Sequence, residues 1–141
     1  MSPCCKRRIH CGKGCFVTQF APENPLIVQS DHTVLVEVDS PRYEAARDEL
    51  ARFAELVKSP EHIHTYRITP LSIWNARACG TSSAEILAGL EELSRYPVPP
   101  NVASEVQEYA SRYGRLELRR RDGELALVAA DSATAEEIAR H

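Results

Sequence analysis

The stretch Arg115-Leu116-Glu117-Leu118-Arg119-Arg120-Arg121-Asp122-Gly123-Glu124-Leu125-Ala126-Leu127-Val128-Ala129 decides the fold. Two runs of strand character flank Asp122-Gly123. Asp-Gly is a strong signal for a two-residue hairpin turn, because both central positions must adopt positive φ. Strands are expected over 115–121 and 124–129. Alternation along a strand puts Arg115, Glu117, Arg119 and Arg121 on one face and Leu116, Leu118 and Arg120 on the other.

Immediately before the hairpin, the sequence predicts three short helices. Thr69 is an N-cap with Pro70 at the first helical position. Leu71, Trp74 and Ala78 then form one apolar face, and Gly80 suits the left-handed position past the C-terminus. Thr81 or Ser82 caps a second helix with Ile86, Leu87, Leu90 and Leu93 inward. Tyr96-Pro97-Val98-Pro99 is a rigid break. A third helix starts near Pro100, with Val102, Val106, Tyr109 and Tyr113 on one side, and Gly114 ends it. Three helices followed by a hairpin is the order of a winged helix-turn-helix, the hairpin being the wing.

Further upstream the pattern changes. Residues 26–28 read as a short strand and 33–38 as a buried β-branched one. Ser40-Pro41 starts a helix whose apolar face runs Tyr43, Ala46, Leu50, Phe53 and Val57. Ser59-Pro60 stops it, and 62–68 alternates as a third strand. The fold class is therefore α+β. A β-β-α-β lobe (24–68) is followed by a winged-helix-like lobe (69–130). Residues 1–23 are expected to be a flexible, basic, Cys-rich extension. Residues 131–141 are expected to be the start of a truncated helix or a linker. Val34, Val36, Leu50, Phe53, Trp74, Leu87, Leu90, Val106 and Tyr109 are the expected core.

Composition limits what such a chain does. Its 141 residues suit one domain or two small lobes sharing a core. With 43% hydrophobic and 26% charged residues it is too apolar for a disordered chain. A net charge of −3 excludes nucleic-acid binding through an overall positive field, so any such contact needs a local patch. No apolar run approaches the roughly 18–20 residues of a membrane span. Lys6, Arg7 and Arg8 are not followed by the apolar core of a secretory signal. A cytoplasmic protein with reduced thiols is expected.

No catalytic constellation is evident. Gly12-Lys13-Gly14 lacks the earlier glycine, the following Ser or Thr and the preceding strand of a phosphate-binding loop. There is no Gly-x-Ser-x-Gly elbow, and Glu91-Glu92 and Glu136-Glu137 fall on solvated helix faces. Cys4, Cys5, His10, Cys11 and Cys15 are soft ligands, but no Cys-x2-Cys pair occurs among them, so an unstructured tail is expected rather than a zinc site. His62 and His64 share one strand face without a third ligand nearby in sequence. Cys79, at a helix end, is expected to be a small buried residue. No metal or cofactor is expected, and the chain should act by binding.

Binding residues fall into two groups. The outward side of the third helix carries Glu105, Glu108 and Arg112. Two acids against one base are wrong for a phosphate-rich groove, so these are candidate contacts for a protein partner. The hairpin's Arg115, Arg119 and Arg121 are candidate nucleic-acid contacts, offset by Glu117, Asp122 and Glu124. The alternative for them is a solvated hairpin face.

Four stretches carry a family resemblance: PLIVQSDHTVL at 25–35, SPEHIHTYRITPLSIWNARA at 59–78, SRYPVP at 94–99 and RYGRL at 112–116. The region 24–130 resembles the N-terminal domain of bacterial XPB-type DNA repair helicases. In that family the domain precedes a superfamily-two motor that holds the ATP site, which this chain lacks. A similar region in eukaryotic relatives docks to a core subunit of the repair and transcription factor TFIIH. The resemblance therefore implies a non-catalytic accessory domain. Its partner would be the helicase catalytic domains, a repair protein or DNA. The alternative is a free-standing winged-helix DNA-binding protein.

Overall fold

The structure, a computed structural model, describes residues 20–140. Leu26–Val28 (β1) and Thr33–Glu37 (β2) pair antiparallel, with Leu26 opposite Val36 and Val28 opposite Val34. Their turn is closed by Asp31, whose carboxylate accepts the Thr33 N–H at 3.0 Å, and by His32 at φ 67°. That hydrogen bond holds the Asp31 carboxyl below its ordinary value. Helix Tyr43–Leu50 (α1), strand Glu55–Lys58 (β3) and strand Ile63–Arg67 (β4) follow. The four strands form one antiparallel sheet in the order β1-β2-β4-β3.

This corrects the first lobe to β-β-α-β-β. The helical spacing of Phe53 and Val57 predicts that the helix continues to residue 57, but it ends at Leu50. Ala54 N–H still bonds back to the Leu50 carbonyl at 2.8 Å, and Phe53 turns into the core with 1% exposure. Glu55 and Leu56 then pair with Arg67 and Tyr66 of β4. Glu55, Leu56 and Lys58 gain ladder partners on β4 that a last helical turn would forgo. Tertiary pairing overrides the local pattern.

Helices Pro70–Ala78 (α2), Ser83–Leu93 (α3) and Pro100–Arg112 (α4) come next. Thr69 and Ser82 both close capping boxes, with Ser72 and Glu85 at the reciprocal positions. The Ser82 contacts lower the Glu85 carboxyl from its ordinary value. Gly80, at φ 89°, reverses the chain between α2 and α3. Strands Leu116–Arg121 (β5) and Glu124–Ala129 (β6) form a separate two-stranded sheet. Asp122 and Gly123 stand at φ 51° and 88°, as the two-residue turn requires. Helix Ser132–Ala139 (α5), capped by Asp131, lies against β6.

One buried cluster joins both lobes, from Leu26, Val34, Val36, Leu50 and Phe53 to Ile73, Ile86, Leu90, Val102 and Val106. Backbone bonds tie the lobes as well. Arg95 N–H donates to the Leu26 carbonyl at 2.7 Å, and Ala21 N–H to the Arg95 carbonyl at 2.9 Å. Asn24 is buried at this seam. Its amide donates to the Glu92 and Ser94 carbonyls, and its own carbonyl accepts from Arg42. The end of α3 thus has its orphan carbonyls satisfied from the far side of the chain.

Six of the nine expected core residues are buried, and Leu87 and Tyr109 pack partly buried against the cluster. Trp74 is not in it. The face of α2 is the opposite of the expected one. Ile73 and Ala76 point inward, while Leu71, Trp74 and Ala78 are exposed. Both faces carry apolar side chains at helical spacing, and packing against α4 selects one. Cys79 is likewise exposed rather than buried.

Candidate functional site

The hairpin has no buried side chain in either strand, and its register sorts its two faces. Leu118 lies opposite Leu127, Leu116 opposite Ala129 and Arg120 opposite Leu125. One face is therefore a row of leucines ending in an arginine at the tip. Leu118 is 65% exposed, Leu125 64% and Leu127 54%. The other face sets Glu117, Arg119 and Arg121 opposite Val128, Ala126 and Glu124. A two-stranded hairpin with one apolar face ordinarily needs something packed on that face.

The structure separates the candidate nucleic-acid contacts by environment. Arg119 is engaged within its own strand, donating to Glu117 at 2.6 and 2.8 Å. Arg121 sits beside the turn, opposite Glu124. Arg115 stands at the root of the hairpin, where its carbonyl accepts the Ala130 N–H at 2.8 Å. Arg115 also helps the Thr134 N–H bond keep the Asp131 carboxyl below its ordinary value.

The candidate partner contacts on α4 do not share one role. Glu105 is taken up internally: its carboxylate is 2.8 Å from His32 Nε2 and accepts the Tyr109 hydroxyl at 3.1 Å. Burial first, then this acceptor, raises the Tyr109 hydroxyl from its ordinary value. The Asn101 amide, donating to the Ser30 carbonyl at 2.8 Å, ties α4 to the β1–β2 turn. Glu108 and Arg112 pair with each other one turn apart, half-exposed.

A cleft of about 680 Å³ opens between the end of α4, the root of the hairpin and α5. Trp74 forms one wall, and Tyr113 and Leu116 line it with Arg112 and Arg115. The Trp74 indole N–H donates to the Tyr109 carbonyl at 2.9 Å, which fixes the ring. Two of the stretches that carry the resemblance, 59–78 and 112–116, meet here. The sequence pattern misses Trp74 and Tyr113 as surface residues because helical spacing counts them as core. The signal that could have found the leucine face is the absence of a third strand for the alternating leucines to pack on.

Among the described residues, no three His, Cys, Asp or Glu side chains are grouped to hold a metal. Cys4, Cys5, His10, Cys11 and Cys15 lie outside the described residues. Of the two histidines expected on one strand, His62 lies just before β4 and sits 3.2 Å from Asp39 near the surface, while His64, within β4, has its Nδ1 2.9 Å from the Tyr43 hydroxyl. No described helix is long and apolar enough to cross a membrane.

Comparison with known proteins gives the following. The family described as "Helicase conserved C-terminal domain" matches residues 26–141. The chain is 50% identical over 119 residues to the DNA 3'-5' helicase XPB of Kineococcus radiotolerans, and 48% identical over 120 residues to that of Mycobacterium tuberculosis. Each match covers 84% of this chain but only 21% and 22% of the respective relative. The general transcription and DNA repair factor IIH helicase/translocase subunit XPB of Schizosaccharomyces pombe is 35% identical over 88 residues, 62% of this chain and 11% of that protein. The chain therefore spans about a fifth of the length of the bacterial relatives it matches.

Proposed function

We propose, on the premise that the chain belongs to the helicase conserved C-terminal domain family, that it is a non-catalytic accessory module of an XPB-like DNA helicase. It docks through the hairpin onto the helicase body. The observation that carries this is the leucine face: Leu118, Leu125 and Leu127 are more than half exposed on a sheet of only two strands. Apolar area of that kind marks a protein contact. Arg119 and Arg112 already have carboxylate partners within the chain, which favours protein docking over a phosphate-bound wing. Arg121, with Arg115, remains the hairpin's candidate nucleic-acid contact.

The finer placement belongs to the same proposal. The module sits N-terminal to the motor, as the resemblance implies, although the family's description speaks of a C-terminal domain. The helices α2–α4 and the hairpin act as a winged-helix unit, a reading supported by their order and their short connections.

Binding in trans tests the docking. The chain and a motor portion of an XPB-like helicase lacking this region are mixed and followed by calorimetry. Saturable binding that is lost in the Leu118→Lys, Leu127→Lys double variant supports the reading. Absence of binding, or equal binding by the variant, overturns it. The order of the coding sequence tests the placement: a motor encoded upstream of these residues would reverse it.

A further inference from the structure

We propose that a hollow at the C-terminal end of α3 takes one lysine side chain presented by a partner protein. The hollow has a volume of about 280 Å³, and Phe20, Asn24, Glu91, Ser94 and Tyr96 are among the residues that line it. That size lies just below the range of sites that enclose a whole small ligand, and it suits a single side chain. None of the lining residues belongs to the hairpin, so the site does not rest on the docking reading. Phe20 and Tyr96 are 55% and 48% exposed, with ring centroids 5.4 Å apart and planes tilted by 36°. Two half-open aromatic rings at one hollow attract a cation through their electron-rich faces.

The polar groups left open select a charged donor. Ser94 is 4% exposed, yet its hydroxyl has no hydrogen-bond partner among the described residues. Asn24, the other buried polar residue here, is fully engaged with the Glu92 and Ser94 carbonyls and with Arg42. Glu91 is the one charged residue that lines the hollow, and it belongs to none of the ion pairs among the described residues. The cations nearby are already matched, Arg42 by Glu92 and Arg95 by Glu37. Glu91 lies in the last turn of α3 and Ser94 is its C-cap, so the negative end of the helix dipole also falls here. No basic residue in that turn meets it. An ammonium answers all of these features: it donates to the Ser94 hydroxyl oxygen, pairs with the Glu91 carboxylate and faces the rings. Two separate acceptors in a small space suit that compact charge better than the broad planar guanidinium of arginine.

The intact chain is titrated with N-acetyl-lysine methylamide and with its norleucine and arginine counterparts, and the backbone N–H signals of Ser94, Tyr96 and Val98 are followed by NMR. Saturable shifts are expected with the lysine probe and far weaker ones with norleucine, which lacks the ammonium. Glu91→Gln should weaken lysine binding about two- to fivefold, as loss of a water-exposed ion pair does. Tyr96→Ala should weaken it about two- to fivefold, the range for an exposed cation over a ring. Ser94→Ala should weaken it as well. That hydroxyl holds nothing among the described residues, so the variant should fold, which unchanged circular dichroism verifies. No shift with the lysine probe, equal binding of norleucine, or binding unchanged in both Glu91→Gln and Ser94→Ala overturns the proposal. Equal affinity for the arginine probe overturns the choice of lysine. Binding that appears only in the Lys6→Ser, Arg7→Ser, Arg8→Ser, Lys13→Ser variant assigns the hollow to the chain's own basic segment before Phe20 and overturns the partner reading.

Discussion

The indole N–H of Trp74 on α2 donates to the main-chain carbonyl of Tyr109 on α4 at 2.9 Å, so a half-exposed ring pins two helices together. Trp74→Phe keeps the ring and removes the donor. We expect a loss of about 0.5–1.5 kcal/mol in urea denaturation, the usual net value of one such bond. An unchanged midpoint would show that solvent replaces the indole without cost.

Asn24 joins the start of β1 to the end of α3. Its amide serves two carbonyls at 2.8 and 3.0 Å in a buried setting. Asn24→Ala leaves them without that donor, at a cost of about 1–3 kcal/mol. Amide hydrogen exchange should show the loss as earlier opening at Arg95, whose N–H bonds to Leu26.

Phe53 is 1% exposed and lies where α1 gives way to β3. Phe53→Ala should cost about 3–5 kcal/mol. That is a large share of the roughly 5–15 kcal/mol of an ordinary domain, and a lower thermal midpoint would register it. Leu118→Lys, by contrast, should stay within about 0.5 kcal/mol, since its side chain is mostly in water.

Acid stability follows from three depressed carboxyls, Asp31, Glu85 and Asp131, each accepting a backbone N–H. Their folded values lie below the unfolded ones. The stability they contribute is present above the ordinary carboxylate range near pH 4 and is lost as pH falls through the depressed values. The thermal midpoint should drop below about pH 4. Ser82→Ala removes about 1 kcal/mol at neutral pH. It should also remove the hydroxyl's share of the drop due to Glu85, while the larger share, from the Ser82 backbone N–H, remains. A parallel downward shift at every pH would sink the assignment.

Local chemistry made much of the architecture readable. Thr69-Pro70, Ser82 with Glu85, Gly80 and Asp122-Gly123 each fix a boundary through bonds or φ values that their own residues supply. What could not be read depends on partners far along the chain. Val57 fits a helix until Tyr66 and Arg67 offer Leu56 and Glu55 a strand to pair with. Trp74 fits a core until Ile73 and Ala76 claim the inward side of the same helix. Asn24 carries no pattern of its own until α3 brings two carbonyls to it. For the site, Arg115, Arg119 and Arg121 were visible as a cluster. That Glu117 occupies Arg119, and that Trp74 and Tyr113 open beside Arg115, depends on tertiary placement.

The two sheets end differently at their margins. In the larger sheet, β3 carries Glu55 and Lys58, and its register slips between Leu56 and Lys58, which makes a poor template for another strand. The hairpin has six regular pairs, and among the described residues each of its strands keeps one unoccupied edge. Its second strand, Glu124–Ala129, is uncharged after its first residue. Short, regular, weakly charged strands of this kind recruit copies of themselves into stacked sheets. In the isolated chain, association at high concentration is therefore expected to start at the free edge of Glu124–Ala129.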